Sequence, residues 1–482
     1  MTFETKGPTH PTADNAALAQ DNEQRLDVAY AAVLAPSHCD TAELRQQNAM
    51  AYLDLKLPPE ILMNVFRYLS PSCCKDIRTT HVCTLWRELI RSTPEFWADM
   101  LSSQSVFYRL NRDAGSDLSV MSFIQRSSPL PYPLCLDSRL EFIETILPHV
   151  HRISSLSFTL RFKYKPAAHL VLLPGSAFPS LRTLIVGDPV NHTVPLLDFL
   201  NACPQLEVLE LHLSEDTRSS NLTLLHNHSP VSLPCLRRCY IRDDLYSAQH
   251  TWIPVLLQRI RFPAKTKLRV SCSYGRYIRI CSYLPFSPSV PTIPALDVLE
   301  LRFVPMGKSR PGDWILSMKG RRRRSEVLSM VITAARWGPA DASSGPSDVL
   351  FDLAKVFSHE PSISLAVLDL EFGIGVSVLK GDWLSILQAV PTLAVLKVHI
   401  NSCNNLLTVL RKNVGLCPVL RTLSITCENG SGVHGALVTV VELRTQEGHG
   451  LESLMFRGTK GTPLSVGRRE RLKTLVPHVD IS

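Results

Sequence analysis

The sequence predicts an α/β protein in two parts: a small three-helix module, followed by an irregular α/β solenoid. Helical apolar patterns cluster between residues 57 and 97, a strand-like apolar pattern recurs along most of the remaining chain, and helix-like segments lie between its copies. The division that follows is a flexible, partly helical tail over 1–50, the helical module over 51–100, a connecting segment with a first helix over 101–150, and the repeat domain over 151–482.

The tail opens with a Thr/Pro/Asn-rich stretch and turns Ala- and Gln-rich. Asp40 followed three residues later by Glu43 has the form of a capping box, which predicts a helix from Thr41 to about Leu53. The character changes at Leu57. In LPPEILMNVFRYLS, Ile61, Leu62, Val65, Phe66 and Leu69 share one face of a helix that starts at a proline pair, and Pro71 ends it. In HVCTLWRELI, Val82, Leu85, Trp86, Leu89 and Ile90 make a second helical face before Pro94, and Phe96-Trp97 follow. A module this small buries too little surface to be robust alone, so it gains by docking onto something else.

Beyond it the repeat pattern is an apolar residue, two others, an apolar residue, one other and a third apolar residue, usually with proline two positions upstream. It reads FPSLRTLIV, CPQLEVLEL, LPCLRRCYI, IPALDVLEL, ISLAVLDL, VPTLAVLKV, CPVLRTLSI and GLESLMF. The first apolar positions are Leu181, Leu206, Leu236, Leu296, Leu365, Leu393, Leu420 and Leu451, with a further copy at Ile153 and weaker ones starting at Lys265 and Val327. Successive intervals run from 25 to 38 residues, the length class of leucine-rich repeats. The segments VPLLDFLNAC, WIPVLLQRI, LFDLAKVF, WLSILQAV and LLTVLRKN carry helical spacing between copies, so each unit reads as strand, loop, helix. One unit cannot bury both faces, whereas stacked neighbours share a core. Few copies have asparagine three residues after the last apolar position: Asn401 fits, but Pro189, Ser214 and Glu428 stand elsewhere, which predicts an irregular array.

Composition narrows the function. Hydrophobic content is 45%, charged content 20% and mean hydropathy +0.06, values of a chain that folds. The net charge of +8, from 51 Lys and Arg against 43 Asp and Glu, is a mild excess. Its one dense basic run, Lys319 to Arg324, reads as a solvated loop, with a nuclear-localisation or phosphate-binding role as the alternative. No apolar stretch reaches membrane-spanning length and the first 30 residues lack the build of a secretory signal, so the expectation is a cytoplasmic or nuclear protein with no membrane partner. The 13 cysteines form no C-x-x-C pair and no Cys/His cluster, which predicts reduced, buried thiols and neither metal nor cofactor.

The stretch Leu57-Pro58-Pro59-Glu60-Ile61-Leu62, Val65-Phe66 and Leu69, then Ile77, Val82-Cys83, Trp86-Arg87 and Pro94-Glu95-Phe96-Trp97, resembles the F-box in the order and spacing of its apolar anchors. The C-terminal part is similar to the irregular leucine-rich repeats of F-box-like proteins expanded in mushroom-forming fungi. The resemblance implies a non-catalytic substrate receptor of an SCF-type ubiquitin ligase, in which the F-box binds the Skp adaptor, and through it cullin and RING subunits, while the repeats hold a protein client. It assigns Leu57, Pro58, Ile61 and Leu62 to adaptor contact, with Val65, Phe66, Val82 and Trp86 shared between contact and packing. The alternative is a leucine-rich-repeat scaffold with no ligase role.

By strand alternation, the residues between the apolar positions face outward and form the candidate client surface: Glu210 and His212, Tyr240 and Arg242, Glu300 and Arg302, Asp369 and Glu371, Lys397 and His399. Both charge signs occur, which suits a protein surface better than a uniform polyanion. A nucleic-acid role for Arg321 to Arg324 is disfavoured because their flanks, Gly320 and Ser325, offer no aromatic. No nucleophile-elbow, P-loop, zincin or dinucleotide fingerprint occurs. Gly373 and Gly375 in FGIGVSVLKG read as a loop after a repeat strand, and the His149/His151 and His226/His228 pairs lack ligand-spaced partners. No catalytic residue is therefore predicted.

Overall fold

The computed structural model describes residues 57–69, 84–102, 116–136, 146–158, 178–187, 193–213, 228–243, 252–274, 296–305, 314–334, 344–359, 364–373, 377–429, 433–460 and 464–481; the helix expected from Thr41 to Leu53 lies outside them. The chain divides into two compact units, Met1–Tyr164 with Ser176–Leu181, and Lys165–Gly175 with Arg182–Ser482.

The first unit holds helices α1 (Pro59–Tyr68), α2 (Thr84–Arg91), α3 (Pro94–Ser102) and α4 (Ser116–Arg126), strand β1 (Tyr132–Leu136), a 3-10 turn (Leu147–Arg152) and strand β2 (Ile153–Phe158) parallel to β1. Pro59 is the first helical residue of α1, where its missing N–H breaks no bond. Between α2 and α3 the hydroxyls of Ser92 and Thr93 both donate to the Leu89 carbonyl, at 2.9 and 2.7 Å, satisfying the end of α2 before Pro94 opens α3. The Trp97 indole N–H donates to the Ile90 carbonyl at 2.8 Å, and its ring stacks on Phe123 of α4 at 5.2 Å, beneath the Arg126 guanidinium. Arg152 is buried and donates to the Ile124 and Leu130 carbonyls and the Ser127 hydroxyl, at 3.0, 2.8 and 2.9 Å, which ties the end of α4 to β2. Within this unit α3 thus packs against α4 and β1. Strand β1 was not legible in the sequence, because YPLCL is short, carries a proline and shifts register there.

The second unit runs β3 (Thr183–Gly187), α5 (Thr193–Asn201), β4 (Val208–Leu213), β5 (Val231–Ser232), β6 (Arg238–Asp243), α6 (Trp252–Arg259), β7 (Ile260–Arg261), β8 (Lys267–Tyr274), β9 (Val298–Pro305), β10 (Trp314–Arg322), β11 (Ser325–Ala334), α7 (Ser344–His359) and β12 (Val367–Phe372). It continues with α8 (Lys380–Ala389), β13 (Val395–Ile400), α9 (Asn404–Lys412), β14 (Thr422–Asn429), α10 (Val433–Gln446), β15 (Ser453–Lys460), α11 (Val466–Leu475) and β16 (His478–Ile481). Its strands form a mostly parallel sheet in the order β3-β4-β6-β8-β11-β10-β9-β12-β13-β14-β15-β16, with β5 and β7 paired apart. This is the α/β, leucine-rich-repeat-like architecture the periodicity predicts, and each predicted copy in this unit supplies a strand.

The prolines upstream of the strands explain how each repeat begins. Phe178-Pro-Ser-Leu181, Cys203-Pro-Gln-Leu206, Leu233-Pro-Cys-Leu236, Val390-Pro-Thr-Leu393 and Cys417-Pro-Val-Leu420 are tight turns in which the leucine N–H donates back to the first carbonyl, at 2.9–3.2 Å. Proline presets the backbone of the second turn position, and the first and fourth residues are buried. Outside the β9–β11 meander, most strands then catch a neighbour by the same bond, as in Ala394 N–H to the Ala366 carbonyl at 2.9 Å and Arg421 N–H to the Ala394 carbonyl at 2.8 Å. Inward side chains such as Leu368, Leu370 and Phe372 are buried, and the edge-to-face approach of Phe372 to Trp383 of α8 shows that the helices cover that face.

Simple stacking in chain order fails at one place. Strand β8 pairs with β11 rather than β9; β10 runs antiparallel to both β9 and β11, and β9 pairs with β12. The copies starting at Leu296 and Val327 are therefore the outer strands of a meander, and no described helix separates them. Strand β10 carries no repeat phase because it runs against the others. Lys319 to Arg324, expected as a loop, is instead the end of β10 and a two-residue hairpin turn, with Arg323 and Arg324 at φ 47° and 73°. Asn-Gly suits such a turn, and left-handed backbone costs other residues about 1–2 kcal/mol each. Asp297 offsets part of this cost, its carboxylate accepting the Arg323 N–H at 2.7 Å. Gly320 is required by close approach: a Cβ there would lie 2.7 Å from the Leu296 side chain and 3.0 Å from Leu328 Cβ.

Candidate interaction surfaces

Two surfaces carry the residues singled out in the sequence, one in each unit. On α1, Leu62 and Phe66 point inward, 2% and 1% exposed, and Phe66 meets Trp86 of α2 edge-on at 5.2 Å. Ile61 and Val65, one helical step away, are 47% and 49% exposed, and Tyr68 is 87% exposed. Pro58 is exposed and Leu57 half-buried beside them. The predicted adaptor set thus separates: Leu57, Pro58, Ile61 and Val65 line an outward apolar strip, Leu62 and Phe66 are core, and Trp86 is half-buried between the two. Val82 lies outside the described residues. Tyr68 extends the strip and was missed, although its spacing of three from Val65 and seven from Ile61 is the helical signal.

In the second unit the predicted client residues fall on the sheet face opposite the helices. They gather into two groups. Glu210 pairs with Tyr240 and His212 with Arg242 across β4 and β6. Glu300, Asp369 and Lys397 form one row across β9, β12 and β13, with Arg302, Glu371 and His399 in the next. Strands β8, β11 and β10 stand between the groups and contribute Lys267, Arg269, Lys319 and Arg321 to the same face. Those were missed because the copy at Lys265 is weak and β10 has no repeat phase; the alternation of basic with apolar residues in KLRV was the available signal.

The electrostatics of the two groups differ. Arg302 Nε lies 3.3 Å from Glu371 and Arg321 2.7 Å from Glu300, so the β9–β12 region is internally paired. Burial pushes the Asp369 carboxyl above the ordinary carboxylate range; Lys397 and Arg302 pull it back, while Glu300 and Glu371 push with burial. On β4 and β6, His212 lies 3.7 Å from Glu210 and meets the Tyr240 ring edge-on, and the Arg269 guanidinium sits 5.2 Å over that ring. Among the described residues no group of three or more His, Cys, Asp or Glu is placed to hold a metal ion, and no helix is long and apolar enough to cross a membrane. His228 accompanies Asp198 at 2.9 Å; His226 lies outside the described residues.

The first unit thus carries a helical module with an outward apolar strip, and the second a sheet with a polar face among the described residues. The family described as F-box-like matches residues 54–103, the segment containing α1, α2 and α3. The chain therefore carries an F-box-like domain followed by a long, mostly parallel, repeat-like sheet. No curated protein matches it.

Proposed function

We propose that the protein is a non-catalytic substrate receptor of an SCF-type ubiquitin ligase, with α1 docking on the Skp adaptor, and thereby on cullin and RING subunits, while the open sheet face holds a protein client. The carrying observation is the strip of Leu57, Pro58, Ile61, Val65 and Tyr68, which stays outside a module whose own core is already filled by Leu62, Phe66 and Ile90. Apolar residues at consecutive helical turns have little use in water, and burying each contributes about 1.5–3 kcal/mol in a complex. The F-box-like match supports this partner for the strip, since F-box domains bind the Skp adaptor.

The test is co-purification of the full chain with the Skp adaptor, beside an Ile61→Asp/Val65→Asp variant. Both positions are exposed, so the variant folds with an unchanged circular dichroism spectrum and loses capture by at least about 100-fold, two buried side chains' worth. A folded wild-type chain that captures no adaptor sinks the reading and leaves a repeat scaffold without a ligase role.

A further inference from the structure

Six arginines at the sheet are paired with a carboxylate on the same or a neighbouring strand. Arg182 and Arg237 share Glu207 at 3.0 and 3.5 Å, Arg321 takes Glu300, Arg302 takes Glu371, Arg421 takes Glu452 and Arg457 takes Asp480. A further group of cations lacks such a carboxylate. Arg238 of β6, Lys267 and Arg269 of β8, and Arg322, Arg323 and Arg324 at the β10–β11 hairpin are all exposed, and none has an ion-pair partner among the described residues.

Register brings them together. Arg238 stands opposite Lys267, Tyr240 opposite Arg269, and Leu268 opposite Leu328, so the hairpin turn lies beyond the start of β8. Neighbouring strands are about 4.8 Å apart and a two-residue step is about 7 Å, so Arg238, Lys267 and Arg269 crowd together on one face, and the three hairpin arginines stand at its rim. The turn itself points the same way: its two arginines hold left-handed backbone that Asn-Gly would occupy with less strain, so charge is kept there against local preference.

We propose that this strip binds an acidic polypeptide segment of the client, in which aspartates and glutamates are clustered. The inference rests on reading the open sheet face as the client-holding surface. Guanidinium groups with no carboxylate beside them among the described residues are set to take carboxylates bidentately. A peptide fits better than nucleic acid. The Tyr240 ring, the aromatic in the strip, is covered by Arg269, which leaves it poorly placed to stack a base, and Glu210 and Glu326 border the strip where a continuous phosphate backbone would meet them.

The experiment is fluorescence anisotropy of the full chain with a labelled peptide of alternating Asp and Glu, a neutral Asn/Gln peptide of equal length and a single-stranded oligonucleotide. The acidic peptide binds, the neutral one does not, and affinity falls with salt. Arg238→Gln/Lys267→Gln/Arg269→Gln and Arg323→Asn/Arg324→Gly each weaken acidic-peptide binding at least tenfold, and the second variant melts no lower than wild type. The control Arg182→Gln/Arg237→Gln/Arg421→Gln removes paired charges and changes affinity less than twofold. Equal loss in that control, equal binding of the neutral peptide, or binding of the oligonucleotide in preference to the acidic peptide overturns the proposal. Skp-adaptor capture is measured on the same samples: its failure with acidic-peptide binding intact removes the ligase reading alone, and its success without such binding removes this inference alone.

Discussion

At the scale of single residues, the most constrained positions are those where a side chain, or its absence, completes a neighbour's packing. Gly320 sits under Leu296, so Gly320→Val forces the meander apart; the expected loss is about 1–3 kcal/mol or more, read as a lowered urea midpoint. Arg444 of α10 is fully buried and donates to the carbonyls of Val414, Leu416 and Cys417 at 3.1, 2.9 and 3.0 Å, closing the turn before β14. Arg444→Leu leaves those carbonyls bare at about 1–3 kcal/mol each, a loss that equilibrium unfolding measures. Asp369 carries the pH signature. Its carboxyl is raised in the folded chain, so the native state holds the proton more tightly than the unfolded one, and stability is lost as pH rises from the ordinary carboxylate range through the raised value. Asp369→Asn removes that slope. Lys397→Gln moves the carboxyl further up and Glu300→Gln brings it down, shifts that carboxyl-carbon NMR titration follows.

At the scale of elements, α1 and the β10–β11 hairpin show what local pattern does and does not encode. The apolar set Ile61, Leu62, Val65, Phe66 and Leu69 announced a helix, but a stripe that wide serves two faces, and only packing against α2 and α3 decides that Leu62 and Phe66 turn inward while Ile61 and Val65 stay out. The hairpin was hidden for a different reason. Its turn uses two arginines where turn chemistry favours Asn-Gly, and a neighbour distant in sequence, Asp297, holds it. Asp297→Ala therefore frees the Arg323 N–H, and hydrogen exchange at the tip of the hairpin accelerates while β13 and β14 keep their protection.

At the scale of the whole molecule, the repeat sheet gains stability from each strand's contact with the next, and its thiols report on that stacking. Cys203, Cys239, Cys272, Cys403, Cys417 and Cys427 are buried, and burial pushes the Cys239 and Cys417 thiols up to about 12 and about 11. Cys235 is half-exposed. Alkylation mapped by mass spectrometry labels Cys235 in the native protein and those six only with denaturant; early labelling of Cys239 or Cys417 would contradict the packing described for β6 and for the turn before β14.

The sequence by itself determined the class of fold, the phase of the repeat strands, the helical module and the outward alternation that places Glu210, Tyr240, Glu300, Asp369 and Lys397 on one face. These follow from period and from proline-led turns, which are local. Tertiary structure decided the order of strands through the meander, because β8 has no local reason to prefer β11 over β9. It also decided which apolar residues of α1 remain at the surface, and which of the described arginines have a carboxylate beside them. Each of these depends on neighbours brought together from distant parts of the chain, and periodicity carries no record of them.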